Sequence, residues 1–213
     1  EGAKEPVSGS ALAREVGVSR QIVVQDIALL RALPEMVVIN PCDWTQTKNA
    51  TIAAAKYDGP VYLRFGRPKV ADFTPDEPFE IGKAYVLNEG KDVTLFATGH
   101  MVWEALQAAE ALEAEGICAE VINVATIKPL DTKTVIASAI KTGAVVVAEE
   151  HNMAGGLGEL IAGVLAATSP KPIEYVNGRD EFGQSGTPSE LLAAYGMDAA
   201  HIVEAARKVL ERK

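Results

Sequence analysis

Arg67 lies in the run LRFGRP, where a strand-like stretch gives way to a turn. The C-terminal end of a strand is where α/β folds bind ligands, and a guanidinium suits an oxyanion through a fork of parallel N–H bonds. The competing reading is an arginine paired with nearby acids such as Asp72. Glu149, Glu150 and His151 follow another strand-like run and precede the glycines of AGGLG, residues 154–158. A glycine-rich turn entering a helix can cradle an anion, but this pattern is not GxGxxG, and the preceding acids would repel phosphate. Close helix-to-strand packing or a subunit contact is the better reading. Asp43 in NPCD opens a helical run, where a carboxylate accepts backbone N–H bonds and complements the helix dipole; its role is read as structural. His100, His151 and His201 have no metal-ligand spacing with Cys42, Cys118 or each other, so no metal site is expected. Phe182–Gly186 form a loop before a helix that Thr187 or Ser189 would cap, and no chemistry is assigned to it.

Most of the chain alternates short β-branched runs with longer amphipathic ones, which is the signature of α/β layering. Strands are predicted over Met36–Ile39, Val61–Phe65, Val93–Thr98, Cys118–Asn123, Ala144–Ala148 and Pro172–Val176. Helices are predicted over Asp43–Lys56, Met101–Gly116, Asp131–Thr142, Gly158–Ala167, Ser189–Tyr195 and Asp198–Arg212. Asp43 and Asp131 are N-cap types, and Gly116 and Gly143 stand where a helix would stop. The break between two parts falls in Arg67–Glu80, RPKVADFTPDEPFE, which is rich in proline and acid and has no apolar period. The part from Ile81 onward has enough strands and helices to close a sheet covered on both faces. The earlier part has only two convincing strands, too few for an independent sheet, and reads as the end of a domain.

Composition sets the outer limits. Apolar residues make up 48% of the 213 and charged ones 23%, so a buried core is expected. A formal net charge of -9 disfavours general attraction to nucleic acid or anionic membrane. With only two cysteines a disulfide framework is not expected, and the cytosol is the natural compartment. No apolar run approaches a membrane span. The chain begins at Glu1 rather than Met, as a processed or truncated one would.

From Asp26 onward the sequence resembles the C-terminal half of transketolases, especially the small split-subunit forms. The anchors are DIALLRALPEMVVINPCD (26–43), DGPVYLRFGRPKV (58–70), FATGHMVWEALQAA (96–109), INVATIKPLD (122–131), VAEEHNMAGGLG (147–158) and FGQSGTPSELLAAYGM (182–197). The resemblance implies an α/β fold: a C-terminal domain with a five-stranded mixed sheet and helices on both faces, preceded by a partial pyrimidine-binding domain. It implies that Arg67 contacts the sugar-phosphate end of a substrate. It also implies thiamine diphosphate and magnesium in the intact family enzyme, which moves a two-carbon ketol unit between sugars. The neighbouring families, deoxyxylulose-phosphate synthase and the β chains of oxoacid dehydrogenases, share the C-terminal fold.

Upstream of the DIALLRALP stretch the family carries the acid that activates the cofactor, aromatic residues around its pyrimidine, and a GEDGPTHQ-like segment. None of these is found here. The segment from Pro6 instead resembles the helix-turn-helix of small transcription regulators, with Ser10–Val16 and Arg20–Ala32 as its helices. Ser19, Arg20, Gln21 and Gln25 would then face DNA. The resulting division is a helix-turn-helix-like segment 1–25, a pyrimidine-domain remnant 26–70, a linker 71–80 and the C-terminal domain 81–213. The expected function is that of a transketolase scaffold portion, inactive and without cofactor alone. Its partner would be a second copy or an N-terminal transketolase subunit, with sugar phosphate bound only by the complete enzyme. Neither nucleic acid nor membrane is an expected partner. The rivals are a DNA-binding regulator with a transketolase-derived domain, and a non-functional chimera.

Overall fold

Strand β4 (Val93–Ala97) is buried along its whole length, as a central strand covered on both faces must be. Its side chains alternate between two cores. Leu95 and Ala97 enter one with Met101, Leu112, Ile202 and Val209, while Phe96 enters the other with Val135, Ile161 and Leu165. The period of two in this strand therefore builds a three-layer α/β sandwich. The structure is a computed structural model describing residues 27–66, 70–178 and 185–213. The readings that fall on residues 1–26, on Arg67 and on Phe182 to Gln184 lie outside these.

The main sheet has the order β3-β5-β4-β7-β8, formed by Tyr85–Asn88 (β3), Ala119–Asn123 (β5), β4, Val145–Asn152 (β7) and Ile173–Gly178 (β8). β3 runs antiparallel to β5 and the other neighbours are parallel, so the sheet is mixed and five-stranded. Helices α3 (Met101–Ala114) and α7 (Ala199–Leu210) cover one face, and α4 (Thr132–Thr142) and α5 (Leu157–Thr168) the other. The short α6 (Pro188–Ala194) opens on a capping box between Thr187 and Glu190.

A second sheet has the order β2-β1-β6, with β1 (Val37–Ile39) and β2 (Val61–Leu63) parallel. Beside it lie α1 (Ile27–Ala32) and α2 (Trp44–Lys56). Its third strand comes from beyond the linker: β6 (Thr126–Lys128) pairs antiparallel with β1. Ile127 of β6 packs on Val38 of β1, and the Lys128 ammonium donates to the carbonyls of Arg31 and Leu33. Two strands are thus absent from the sequence-based expectation, β3 and β6, and β7 runs on through Glu149, Glu150 and His151 instead of stopping before them.

The linker lies pinned on α2. Thr45 donates to Asp72 through both its backbone N–H and its hydroxyl, and Lys48 and Asn49 donate to Asp76.

Candidate functional site

The two sheets meet at their strand ends. Residues 40–43 leave β1, residues 64–66 leave β2 and residues 98–100 leave β4, and backbone hydrogen bonds join the three turns. Arg64 N–H donates to the Ile39 carbonyl (2.8 Å) and Gly99 N–H to that of Asn40 (3.2 Å). Gly99 has φ 58°, and a side chain on it would strike the Asn40 amide. Such a convergence of C-terminal strand ends is where α/β folds place their sites.

Between these turns opens a cleft of ≈ 550 Å³ walled by Pro41, Asp43, Trp44, Phe65, Gly66 and His100. Trp44 and Phe65 are exposed at 69% and 59%. Asp43 has no lone pair left to offer a ligand. One oxygen accepts from Gln46 N–H and the Thr74 hydroxyl, the other from the N–H groups of Phe73 and Thr74. Its structural reading holds, and it extends from capping α2 to fastening the linker. Cys42 is no nucleophile either: burial, then the charge of Asp43, push its thiol far above the ordinary value.

Glu149 is fully buried and accepts from the N–H groups of Leu157 (2.6 Å) and Gly158 (2.9 Å). The N-terminus of α5 is thereby filled by the protein's own carboxylate, which explains why AGGLG offers no place to phosphate. His151 lies with Nδ1 3.4 Å from Glu149 Oε2, yet neither ring nitrogen finds a hydrogen-bond partner among the described residues. Burial pulls its pKa down, the charge of Arg64 pulls the same way, and Glu149 opposes both; burial prevails. Arg64 is part-buried, with its Nη1 sealed from solvent and unpartnered among the described residues. Burial lowers its pKa against the favourable charges of Glu150, Tyr62 and Glu149.

His100 follows Gly99 and precedes α3, with Nδ1 3.6 Å from Glu150 Oε2. Sequence reasoning weighs His100 only as a metal ligand and gives Arg64 no role. The usable signals are a histidine directly after a turn glycine, and a glycine between two arginines at a strand end. Among the described residues no group of three or more His, Cys, Asp or Glu side chains could hold a metal. Nor do these residues fit a diphosphate. The glycine-rich N-terminus of α5 is occupied by Glu149, and the described lining of the cleft presents carboxylate without a free cation. Both oxygens of Asp72 accept from Thr45, one from its N–H and the other from its hydroxyl. No described helix is long and apolar enough to cross a membrane.

Comparison with known proteins agrees with this architecture. The transketolase C-terminal domain model matches residues 82–202, and the transketolase pyrimidine-binding domain model matches residues 14–72. A 6-deoxy-6-sulfo-D-fructose transketolase subunit of a Clostridium species is 43% identical over 97% of this chain and 64% of its own length. An apulose-4-phosphate transketolase subunit of Phocaeicola vulgatus is 35% identical over 97% of this chain and 66% of its own. A solved structure described as a split gene transketolase, inactive beta4 tetramer, superposes with TM-score 0.85 at 48% identity, covering 88% of this chain and 62% of that one. The chain thus spans a little under two thirds of the length of these three relatives. The pyrimidine-binding match starts at residue 14, inside the segment read as helix-turn-helix, so the regulator resemblance and the DNA contacts of Ser19, Arg20, Gln21 and Gln25 are unsupported. Two domain models in family order, and a shared fold at this identity, place the chain in the transketolase family as a C-terminal transketolase section.

Proposed function

We propose that this chain serves a thiamine-diphosphate-dependent transketolase, transferring a two-carbon ketol unit between sugar phosphates, as its framework and subunit-facing part. The remnant 26–70 brings Arg67 to the substrate's phosphate end, residues 71–80 strap the remnant down, and 81–213 form the domain behind it. Thiamine diphosphate and magnesium belong to the complete enzyme, where the cofactor supplies the carbanion chemistry and the protein supplies placement. The groups that grip and ionise the cofactor come from outside the described residues, and the partner is a companion N-terminal transketolase subunit or a second copy.

The observation that carries this reading is the junction of strand ends. It has the geometry of a ligand-binding edge, yet the carboxylates of Asp43 and Glu149 are already engaged in holding protein backbone. The exposed Trp44 and Phe65 beside it give a partner chain an aromatic surface to cover. The test is reconstitution. The purified chain alone should give no ketol transfer and no stoichiometric, magnesium-assisted cofactor uptake in calorimetry. Mixed with an N-terminal transketolase subunit, it should give ketol transfer that depends on both proteins. Uptake or turnover by the lone chain would sink the proposal.

A further inference from the structure

β8 is an edge strand, and the chain enters it through Pro170, Lys171 and Pro172. Because β8 runs parallel to β7 and β4, this entry lies at the opposite end of the sheet from the junction of strand ends. A cavity of ≈ 350 Å³ opens here, walled by the last turns of α5 from one face of the sheet and by Arg212, just past α7, from the other. Leu165, Ala166, Pro170 and Ile173 give it an apolar lining, and Lys171 and Arg212 add two cations. A small apolar hollow with a few charged groups is the make-up of a small-molecule site.

The charges around it do not balance. Glu174, its side chain 13% exposed, takes both the Lys208 ammonium (2.8 Å) and Nη1 of Arg212 (2.7 Å). Nη2 of Arg212 donates to the Ile173 carbonyl (2.7 Å), which holds the guanidinium in place. Lys171 is half-buried, yet among the described residues no carboxylate or carbonyl takes its ammonium. Two cations thus share one acid and a third has none, in a chain whose net charge is -9. The carbonyl end of α5 supplies about half a negative charge, which leaves the excess standing.

We propose that this hollow binds a small carboxylate with an apolar body, at a site separate from the junction and independent of the reading given to it. The carboxylate pairs with Lys171 beside Arg212, and the body lies on Leu165, Ala166 and Pro170. One unspent ammonium calls for one negative charge. A bare phosphate would leave the apolar walls uncovered, and a neutral molecule would leave Lys171 unpaired. At about 30 Å³ for each water-sized share of a liquid, the hollow holds roughly a dozen non-hydrogen atoms.

The experiment is an NMR titration of the isotope-labelled chain with hydrocinnamate, which has an aromatic body and one carboxylate. Binding should be saturable, with Kd on the order of 1 mM, and should move the amide signals of Ala166 and Lys171. Hydrocinnamyl alcohol, the body without the charge, and inorganic phosphate, the charge without the body, should each bind at least about tenfold more weakly. Lys171→Met keeps the length of the stem and removes no contact within the protein, so the fold should persist while affinity falls about tenfold. Lys171→Arg should stay within about threefold of wild type. Ala166→Trp, which fills the hollow from an exposed helix position, should abolish binding, and Trp44→Ala in the junction cleft should leave it unchanged. The proposal is overturned by the absence of saturable binding up to about 20 mM, or by phosphate or the alcohol binding as well as hydrocinnamate. It is equally overturned if affinity survives Lys171→Met, or if Trp44→Ala removes it.

Discussion

His151 is the residue whose titration the fold resists most visibly. It faces Glu149, Glu150 and Arg64, and burial holds its pKa below the ordinary 6.5. A histidine kept neutral in the native state binds its proton more readily when unfolded, so stability is level above the unfolded value and falls as pH drops below it. The slope reaches about 1.4 kcal/mol per pH unit until the native value is met. Urea midpoints of wild type and His151→Gln at about pH 7.5, 6.5 and 5.5 check this. The wild type should lose more than the variant in the lower step and no more in the upper one. Parallel declines would remove His151 from the account of acid sensitivity. Little of this is legible from the residues in order. Glu149 and AGGLG read as packing, which is right, but the acceptor and its donors lie eight and nine residues apart across a turn, so no local rule names the bond.

Helix ends are the most readable elements, because a cap is satisfied within one turn of the chain. Asp43, Asp131 and Thr187 each open the helix expected of them, and Gly116 and Gly143 take up positive φ where helices stop. Asp131 does more than its type suggests. It accepts from Thr134 N–H and hydroxyl and, across to the start of β3, from Ala84 N–H. Burial raises its pKa, but these hydrogen bonds outweigh it and hold the carboxyl below the ordinary aspartate value of 3.8. Its contribution is therefore present above that pH and lost as pH falls through the native value. Asp131→Ala should cost about 1 kcal/mol at neutral pH, and Asp131→Asn less, by chemical denaturation. An unchanged midpoint for Asp131→Ala would show that the cap is idle. The short strands are illegible for the opposite reason: β6 is three residues long, too few for a period, and its partner lies some ninety residues upstream. β3 is a half-exposed edge strand just past the linker, and its inward face, Tyr85 and Leu87, is too short to mark a period.

At the scale of the whole molecule, the proline- and acid-rich stretch marks a boundary in sequence that the fold does not respect. β6 belongs by order to the later part and by pairing to the earlier one, while Asp43, Asp72 and Asp76 tie the stretch to α2. Two cores joined in this way should unfold together. Scanning calorimetry of the chain should show a single transition with calorimetric and van't Hoff enthalpies in agreement. Two resolved peaks would mean that the sheets are separable units after all. The same crossing strand limits how genes of this kind can be recombined. An expression clone opened at residue 81 would carry Thr126–Lys128 as a strand with nothing to lie on, Ile127 turned to water and its edge open to neighbouring molecules. Exchange between relatives at the linker succeeds only where the donor's first sheet accepts the recipient's strand, so the natural seam for shuffling lies ahead of β1.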